Sequence, residues 1–281
     1  SKGDEFILPT LTFASTIECG EYMGLKPVLI DSSKNSFIFD LNKVEDELKK
    51  NSKIKAIIPM HYGGEPANLD QLNIFAQKYG VFILDDAAHA LEAKYKSHKI
   101  GDTDHASSFS FYANKNITTG GEGGAVSTNS KEIADKIRKL SLHGITKDGW
   151  NRYKNKGKWE YDITELGYKY NMTDLSAAFG IWQMKHLNDW YSVRKEYYNI
   201  YKDFFVSIEE KPFRAVQVMK WMHQRGISDF SQMTDLSKGL REKLESHCVI
   251  RAPEVIYEKT SQDGTRKWVI SVGDKDFIEM V

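Results

Sequence analysis

The apolar run Val81-Phe-Ile-Leu84 leads into Asp85-Asp86-Ala-Ala-His89-Ala90, and a second β-prone run, 106–112, leads into Ser110-Phe-Tyr-Ala-Asn-Lys115-Asn-Ile-Thr-Thr-Gly-Gly-Glu-Gly-Gly124. Each string reads as the exit from a strand. In an open α/β sheet the carboxyl ends of the strands converge on one crevice, where ligands bind. A lysine, a carboxylate and a glycine-rich turn sized for phosphate, all delivered to such a crevice, suggest pyridoxal 5'-phosphate. That cofactor needs a Schiff-base lysine and an acidic partner for its ring nitrogen. Asp86 and Lys115 are the candidates. A solvated lysine beside a flexible loop is the plainer reading, and the pairing of both strings at strand ends outweighs it.

Strand and helix alternate through the first two thirds of the chain. Pro27-Val-Leu-Ile30, 54–58, 81–84 and 107–111 read as short buried strands. Between them, 68–80 reads as a helix with an apolar face of Leu69, Leu72, Ile74, Phe75 and Tyr79, ended by Gly80. Residues 9–13 read as an earlier strand, and Cys19 as a buried thiol on a helix. This pattern predicts an α/β fold, a three-layer helix-sheet-helix arrangement with a mainly parallel sheet. A later helix carries Leu187, Trp190, Tyr191, Tyr197, Tyr198, Tyr201 and Phe205, a stripe suited to core or interface packing.

The 281 residues carry no net formal charge, so bulk attraction to nucleic acid or to a membrane surface is not expected. Hydrophobic residues make up 41%, enough for a core, yet no stretch is long and apolar enough to span a bilayer. Two cysteines, Cys19 and Cys248, form neither a disulfide framework nor a cysteine-rich metal site. These features predict a cytoplasmic protein. His89, His98, Asp102, Asp104 and His105 match no strong metal-ligand spacing and read as solvated loop groups.

From about residue 8 to 203 the chain resembles the DegT-type sugar nucleotide aminotransferases. The stretches that carry the resemblance are Pro9-Thr-Leu-Thr-Phe13-Ala, Gly24-Leu-Lys-Pro-Val28-Leu-Ile-Asp31, Lys55-Ala-Ile-Ile-Pro59-Met-His61, 85–90, 110–126, Leu142-His-Gly144 and Leu166-Gly-Tyr-Lys-Tyr-Asn171-Met-Thr-Asp174. The resemblance implies a type I pyridoxal phosphate large domain over 1–203. It also implies that Lys115 forms the Schiff base and that Asp86 binds the pyridine nitrogen, with His89 and Phe13 against the ring. Ser110 would hold the phosphate, and Asn171 would reach the cofactor phosphate of a second subunit in a homodimer. The implied reaction moves an amino group from glutamate to a nucleotide-linked keto sugar. Lys115, where some relatives carry histidine, favours transamination over dehydration. Family members begin earlier, with a helix and a glycine-threonine phosphate turn, which residues 1–7 are not expected to replace.

From about residue 204 to 281 the sequence resembles the amino-terminal accessory domain of RlmN-type radical-SAM RNA adenine methyltransferases. The carriers are Ser207-Ile-Glu-Glu-Lys-Pro-Phe213-Arg-Ala-Val-Gln-Val-Met-Lys-Trp221, Asp229-Phe-Ser-Gln-Met-Thr-Asp-Leu236 and Asp263-Gly-Thr-Arg-Lys-Trp268. A small α+β domain is expected: a helix from Pro212, a helix capped by Thr234, and a hairpin turning at Asp263-Gly264. Lone Cys248 cannot supply the three-cysteine iron–sulfur motif, which excludes radical methylation by this chain. Lys211, Arg214, Lys220 and Arg225 could touch RNA. However, twelve basic residues are offset by twelve acidic ones over 204–281, so at most weak, salt-sensitive RNA binding is expected. The alternatives to an aminotransferase are therefore an RNA-contacting module and a chimeric or rearranged chain without catalysis.

Overall fold

The structure is a computed structural model that describes residues 1–33, 36–145, 162–251, 253–273 and 276–280. Asp274 and Lys275, two of the charges counted above, lie outside the described residues. The chain divides into two compact units, Ser1–Tyr191 and Ser192–Val281.

The first unit is built on a six-stranded sheet. Its strands are β1 (Glu5–Pro9), β2 (Lys26–Ile30), β3 (Ile54–Ile57), β4 (Phe82–Asp86), β7 (Ala106–Ser110) and β8 (Gly124–Ser127), in the order β2-β1-β3-β4-β7-β8. Between β4 and β7 lies the short antiparallel pair β5 (Lys94–Tyr95) and β6 (His98–Lys99). Every pairing in the six-stranded sheet is parallel except β7 with β8. The parallel strands are joined through α1 (Ala14–Tyr22), α2 (Leu41–Lys50) and α3 (Leu69–Tyr79), and α4 (Lys131–Leu140) follows β8. The order reverses direction at β1, the kind of switch point beside which α/β sheets bind ligands.

Side chains alternate across a strand, so each sheet face has its own core. Ile7, Ile57 and Ile83 pack with Val44 and Leu48 of α2 and Leu72 and Phe75 of α3. Phe6, Leu8 and Ile58 pack on the opposite face with Ile17 of α1 and Leu84. Helix α1 lies close to that face because Gly20 has no side chain: a Cβ there would come within 2.3 Å of the Phe6 ring. Asp40 and Asn68 cap α2 and α3 by accepting from Asn42 N–H and Gln71 N–H, and Gly80 ends α3 in the left-handed region at φ 65°.

Three local expectations change in the first unit. The first strand is Glu5–Pro9, not 9–13, because Phe13 already serves as the N-cap residue of α1 and is 74% exposed. Ile74 is exposed, and Ala76 takes its place on the buried face of α3. Cys19 is an exposed residue of α1 rather than a buried one, its thiol donating to the Thr16 carbonyl at 3.3 Å. In the long helix α5 (Asp174–Ser207) Leu187 and Phe205 are buried, whereas Tyr191 and Tyr197 face outward.

The second unit takes in the end of α5, then α6 (Phe213–Gln224) and α7 (Lys238–His247). Phe205, Ala215, Val218, Trp221, Leu240 and Leu244 belong to one core. Pro212 stands at the start of α6 as expected, but α7 is capped by Ser237, whose hydroxyl accepts from Leu240 N–H; Thr234 lies too far upstream. The expected hairpin forms from β9 (Glu254–Thr260) and β10 (Arg266–Ser271), with Gly264 at φ 88° in its turn. A third strand, β11 (Phe277–Met280), pairs antiparallel with β10 and makes it a three-stranded sheet.

Candidate active site

Strand β4 ends in two carboxylates that the pleat sends to opposite faces. Asp85 is buried on the α2–α3 side. Its Oδ2 accepts from the Ser107 hydroxyl at 2.6 Å, and its Oδ1 lies 3.5 Å from Nε2 of fully buried His61. Nδ1 of that histidine accepts from Ala67 N–H, so the ring proton sits on Nε2 and faces the carboxylate. Asp85 thus belongs to the floor beneath the site.

Asp86 turns the other way, toward α1. Its Oδ2 accepts from the Thr16 hydroxyl at 2.8 Å and its Oδ1 from Ala88 N–H at 3.2 Å. The strand end is stitched down by Asp86 N–H to the Pro59 carbonyl and His61 N–H to the Asp86 carbonyl, at 2.8 and 3.1 Å. A carboxylate has about four lone-pair sites, so two remain for a cationic N–H partner. That donor set fits a protonated pyridine nitrogen.

His89 ties the candidates together. Burial lowers its pKa first, the nearby Lys115 cation lowers it further, and the Asp86 anion opposes both. Lys115 and Asp86, 29 positions apart in sequence, therefore act on one imidazole. Gly63 N–H donates to His89 Nδ1 at 3.3 Å, which leaves the proton of the neutral ring on Nε2. Tyr62 meets the His89 ring edge-on at 5.5 Å and stacks on Phe37 at 5.1 Å.

Lys115 is half-buried in a turn closed by its N–H to the Tyr112 carbonyl at 3.0 Å. The loop beyond it needs its glycines: Gly120 and Gly121 have φ of 86° and 140°, and a Cβ on Gly123 would meet Thr119 Oγ1 at 2.0 Å. Ser110 ends β7, and its hydroxyl oxygen accepts from Tyr112 N–H at 3.3 Å. Phe13 opens α1, one turn before Thr16. Asn171 is exposed on the stretch leading into α5, its amide oxygen accepting from Lys169. An open cavity of about 420 Å³ lies elsewhere, among Phe111, Ile117, Thr119, Met172, Gly180 and Met184. Its lining is apolar and contains neither Asp86, His89 nor Lys115, so it carries none of this chemistry. Among the described residues no group of three or more His, Cys, Asp or Glu side chains is placed to hold a metal ion.

Sequence reasoning missed Thr16 and His61. No local signal marked Thr16: Thr12 precedes α1, so the four-residue spacing is not a helix-face pattern, and Thr16 takes its meaning from Asp86 on β4. Nothing local marked His61, because its partner Asp85 comes from the next strand.

Sheet order, strand-end carboxylate and turn lysine together define the large domain of a type I pyridoxal phosphate enzyme. The chain belongs to the DegT/DnrJ/EryC1/StrS aminotransferase family, whose profile matches residues 1–261. It is 44% identical over 206 residues to the spore coat polysaccharide biosynthesis protein SpsC of Bacillus subtilis, covering 73% of this chain and 52% of SpsC. The aminotransferase of Psychrobacter cryohalolentis superposes with a TM-score of 0.66 at 27% identity, over 74% of this chain and 52% of its own. The Streptococcus pneumoniae protein Spr1654, in its PMP form, superposes with a TM-score of 0.64 at 31% identity, over 73% of this chain and 56% of its own. This chain therefore spans about half the length of the curated relatives it matches.

Proposed function

We propose that this protein transfers an amino group from glutamate to a nucleotide-linked keto sugar with pyridoxal 5'-phosphate. The observation that carries this reading is the Asp86 carboxylate at the carboxyl end of β4, held by the Thr16 hydroxyl and Ala88 N–H with two lone-pair sites left over, in a chain of this aminotransferase family. The polysaccharide role of SpsC supports a sugar acceptor.

When bound, pyridoxal phosphate supplies an electron sink for the pair left behind when an amine loses its Cα proton. Asp86 would hold a proton on the ring nitrogen, and its two existing hydrogen bonds keep the carboxylate aimed. Lys115 Nζ would hold the cofactor and would serve as the base that takes up and returns the substrate's Cα proton. His89, kept neutral by burial and by the lysine cation, presents Nε2–H without adding a charge. Ser110 Oγ would hold the phosphate, Phe13 would lie against the ring, and Asn171 would reach the phosphate of a partner subunit's cofactor. We place the protein in the cytoplasm. Among the described residues no helix is long and apolar enough to cross a membrane.

The test is borohydride reduction of the protein mixed with pyridoxal phosphate, followed by peptide mapping. Labelling concentrated on Lys115 is expected. Labelling spread over surface lysines would sink the reading.

Residues 204–281 are read as a packing appendage, most of it within the span of the aminotransferase family profile, which runs to residue 261. Two of the four candidate RNA contacts already lie on aromatic rings of the same helix region: Arg214 over Phe213 at 4.9 Å and Arg225 over Trp221 at 3.9 Å.

A further inference from the structure

Thr16 is a small hydroxyl side chain, 7% exposed, on the inner face of α1. A hydroxyl in that position needs a partner, and a carboxylate can only accept. The direction of the chain of bonds follows from this. Thr16 gives its one proton to Asp86 Oδ2 at 2.8 Å, which leaves its oxygen free to accept from the Thr12 hydroxyl at 2.9 Å.

The carboxylate is thus held by one donor on each oxygen, Thr16 on Oδ2 and Ala88 N–H on Oδ1. A carboxylate's terminal torsion is otherwise broad, so a donor on each oxygen is what sets its plane. Helix capping does not explain the pair. The α1 N-cap, Phe13, makes no side-chain cap bond, and the hydroxyls point along Thr12 to Thr16 to Asp86 instead of to the orphan N–H groups of the first turn. The Asp86 charge is also felt at Cys19, one turn further along the same helix.

We propose that Thr16, polarised by Thr12, is a positioning residue that fixes the Asp86 carboxylate in the orientation the pyridine nitrogen needs. This rests on the cofactor reading above, but the contact it describes exists in the protein alone. Thr16→Val keeps the shape and deletes the donor, whereas Thr16→Ser keeps the donor and deletes a methyl group. If Thr16 only filled space, valine would serve better than serine; if it positions Asp86, serine must serve better.

The first measurement is a double-mutant cycle in urea on the cofactor-free protein, combining Thr16→Val with Asp86→Ala. Unfolding constants coupled by about threefold or more are expected, and additive effects would overturn the contact. The second is titration with pyridoxal phosphate, followed by absorbance. Thr16→Val should raise the Kd about tenfold and shift the pH dependence of the bound chromophore, Thr16→Ser should restore both, and Thr12→Val should have the smaller effect. An unchanged Kd and pH profile in Thr16→Val would overturn the positioning role. If the unaltered protein is not labelled at Lys115, the proposed function fails, and the urea cycle still decides the role of Thr16.

Discussion

Replacing Gly20 by alanine should destabilise the first unit, against the usual trend. In an unconstrained helix interior, glycine to alanine gains about 1 kcal/mol. Here the new Cβ would sit 2.3 Å from two carbons of the Phe6 ring, while carbon atoms prefer about 3.5–4.0 Å. The ring cannot swing aside, because Phe6 is 1% exposed and packed among Leu8, Ile17, Ile58 and Leu84. Either α1 lifts by more than an ångström or the core distorts. That places the cost at the upper end of overpacking, about 3 kcal/mol, and leaves a net loss of about 2 kcal/mol. Urea unfolding followed by circular dichroism should show a lower midpoint at unchanged slope. Adding Phe6→Leu should recover about 1 kcal/mol or more beyond the sum of the single effects. A Gly20→Ala protein that is more stable than its parent, or a Phe6→Leu partner that changes nothing, would refute the close-packing argument. Because Thr16 sits one turn before Gly20, the same lift would also lengthen its 2.8 Å bond to Asp86.

Asp86→Asn should still be labelled at Lys115 after borohydride but lose most transamination, since amide and ring nitrogen no longer share a held proton; full activity in that variant would remove Asp86 from its role. Although Cys19 is an exposed residue, desolvation of its thiol and the Asp86 anion push it above its usual range against a backbone hydrogen bond at Gly20, so its alkylation should rise with pH at a higher midpoint than the ordinary value of about 8.5, and the midpoint should fall in Asp86→Asn. Mapping the alkylated peptide separates it from Cys248, whose thiol burial also raises. We expect a homodimer, with the outward tyrosines of α5 and Asn171 near the partner, and light scattering at micromolar concentration should give twice the chain mass; a monomer counts against the shared site. Structured RNA should bind weakly and lose affinity steeply with salt, and submicromolar binding at physiological salt that Arg214→Ala with Lys220→Ala abolishes would overturn the packing reading of 204–281.

The parallel sheet was legible because β2, β3 and β4 stand out as short apolar runs separated by helices. The position of Asp86 at a strand end could be read for the same reason, since a strand's exit is marked by where its apolar run stops, whereas Lys115 lies in a turn five residues beyond β7. Misreadings fell where neighbours decide. Proline and threonines at 9–12 look β-prone, yet the sheet register pairs Pro9 with Ile30 and the chain has already left the strand by Thr12. Ile74 fits a helical apolar face by spacing, but the strip of α3 covered by the sheet is narrower than its apolar face. The cap of α7 went to Ser237 over Thr234, because only Ser237 immediately precedes the residues whose N–H groups need an acceptor. His61 and Thr16 could not be assigned from sequence, because each takes its meaning from a carboxylate on another element.

The adjacent carboxylates of β4 make the site depend on parity. Asp85 and Asp86 differ only in which side of the sheet the pleat offers them. Sliding β4 by one residue against β3 and β7 would exchange their surroundings, delivering the core acid to Thr16 and the site acid to Ser107 and His61. Chain length between Val81 and Asp86 is therefore constrained to change in steps of two. A single inserted or deleted residue in β4 would take Asp86 out of the proposed site even where the sheet survived it.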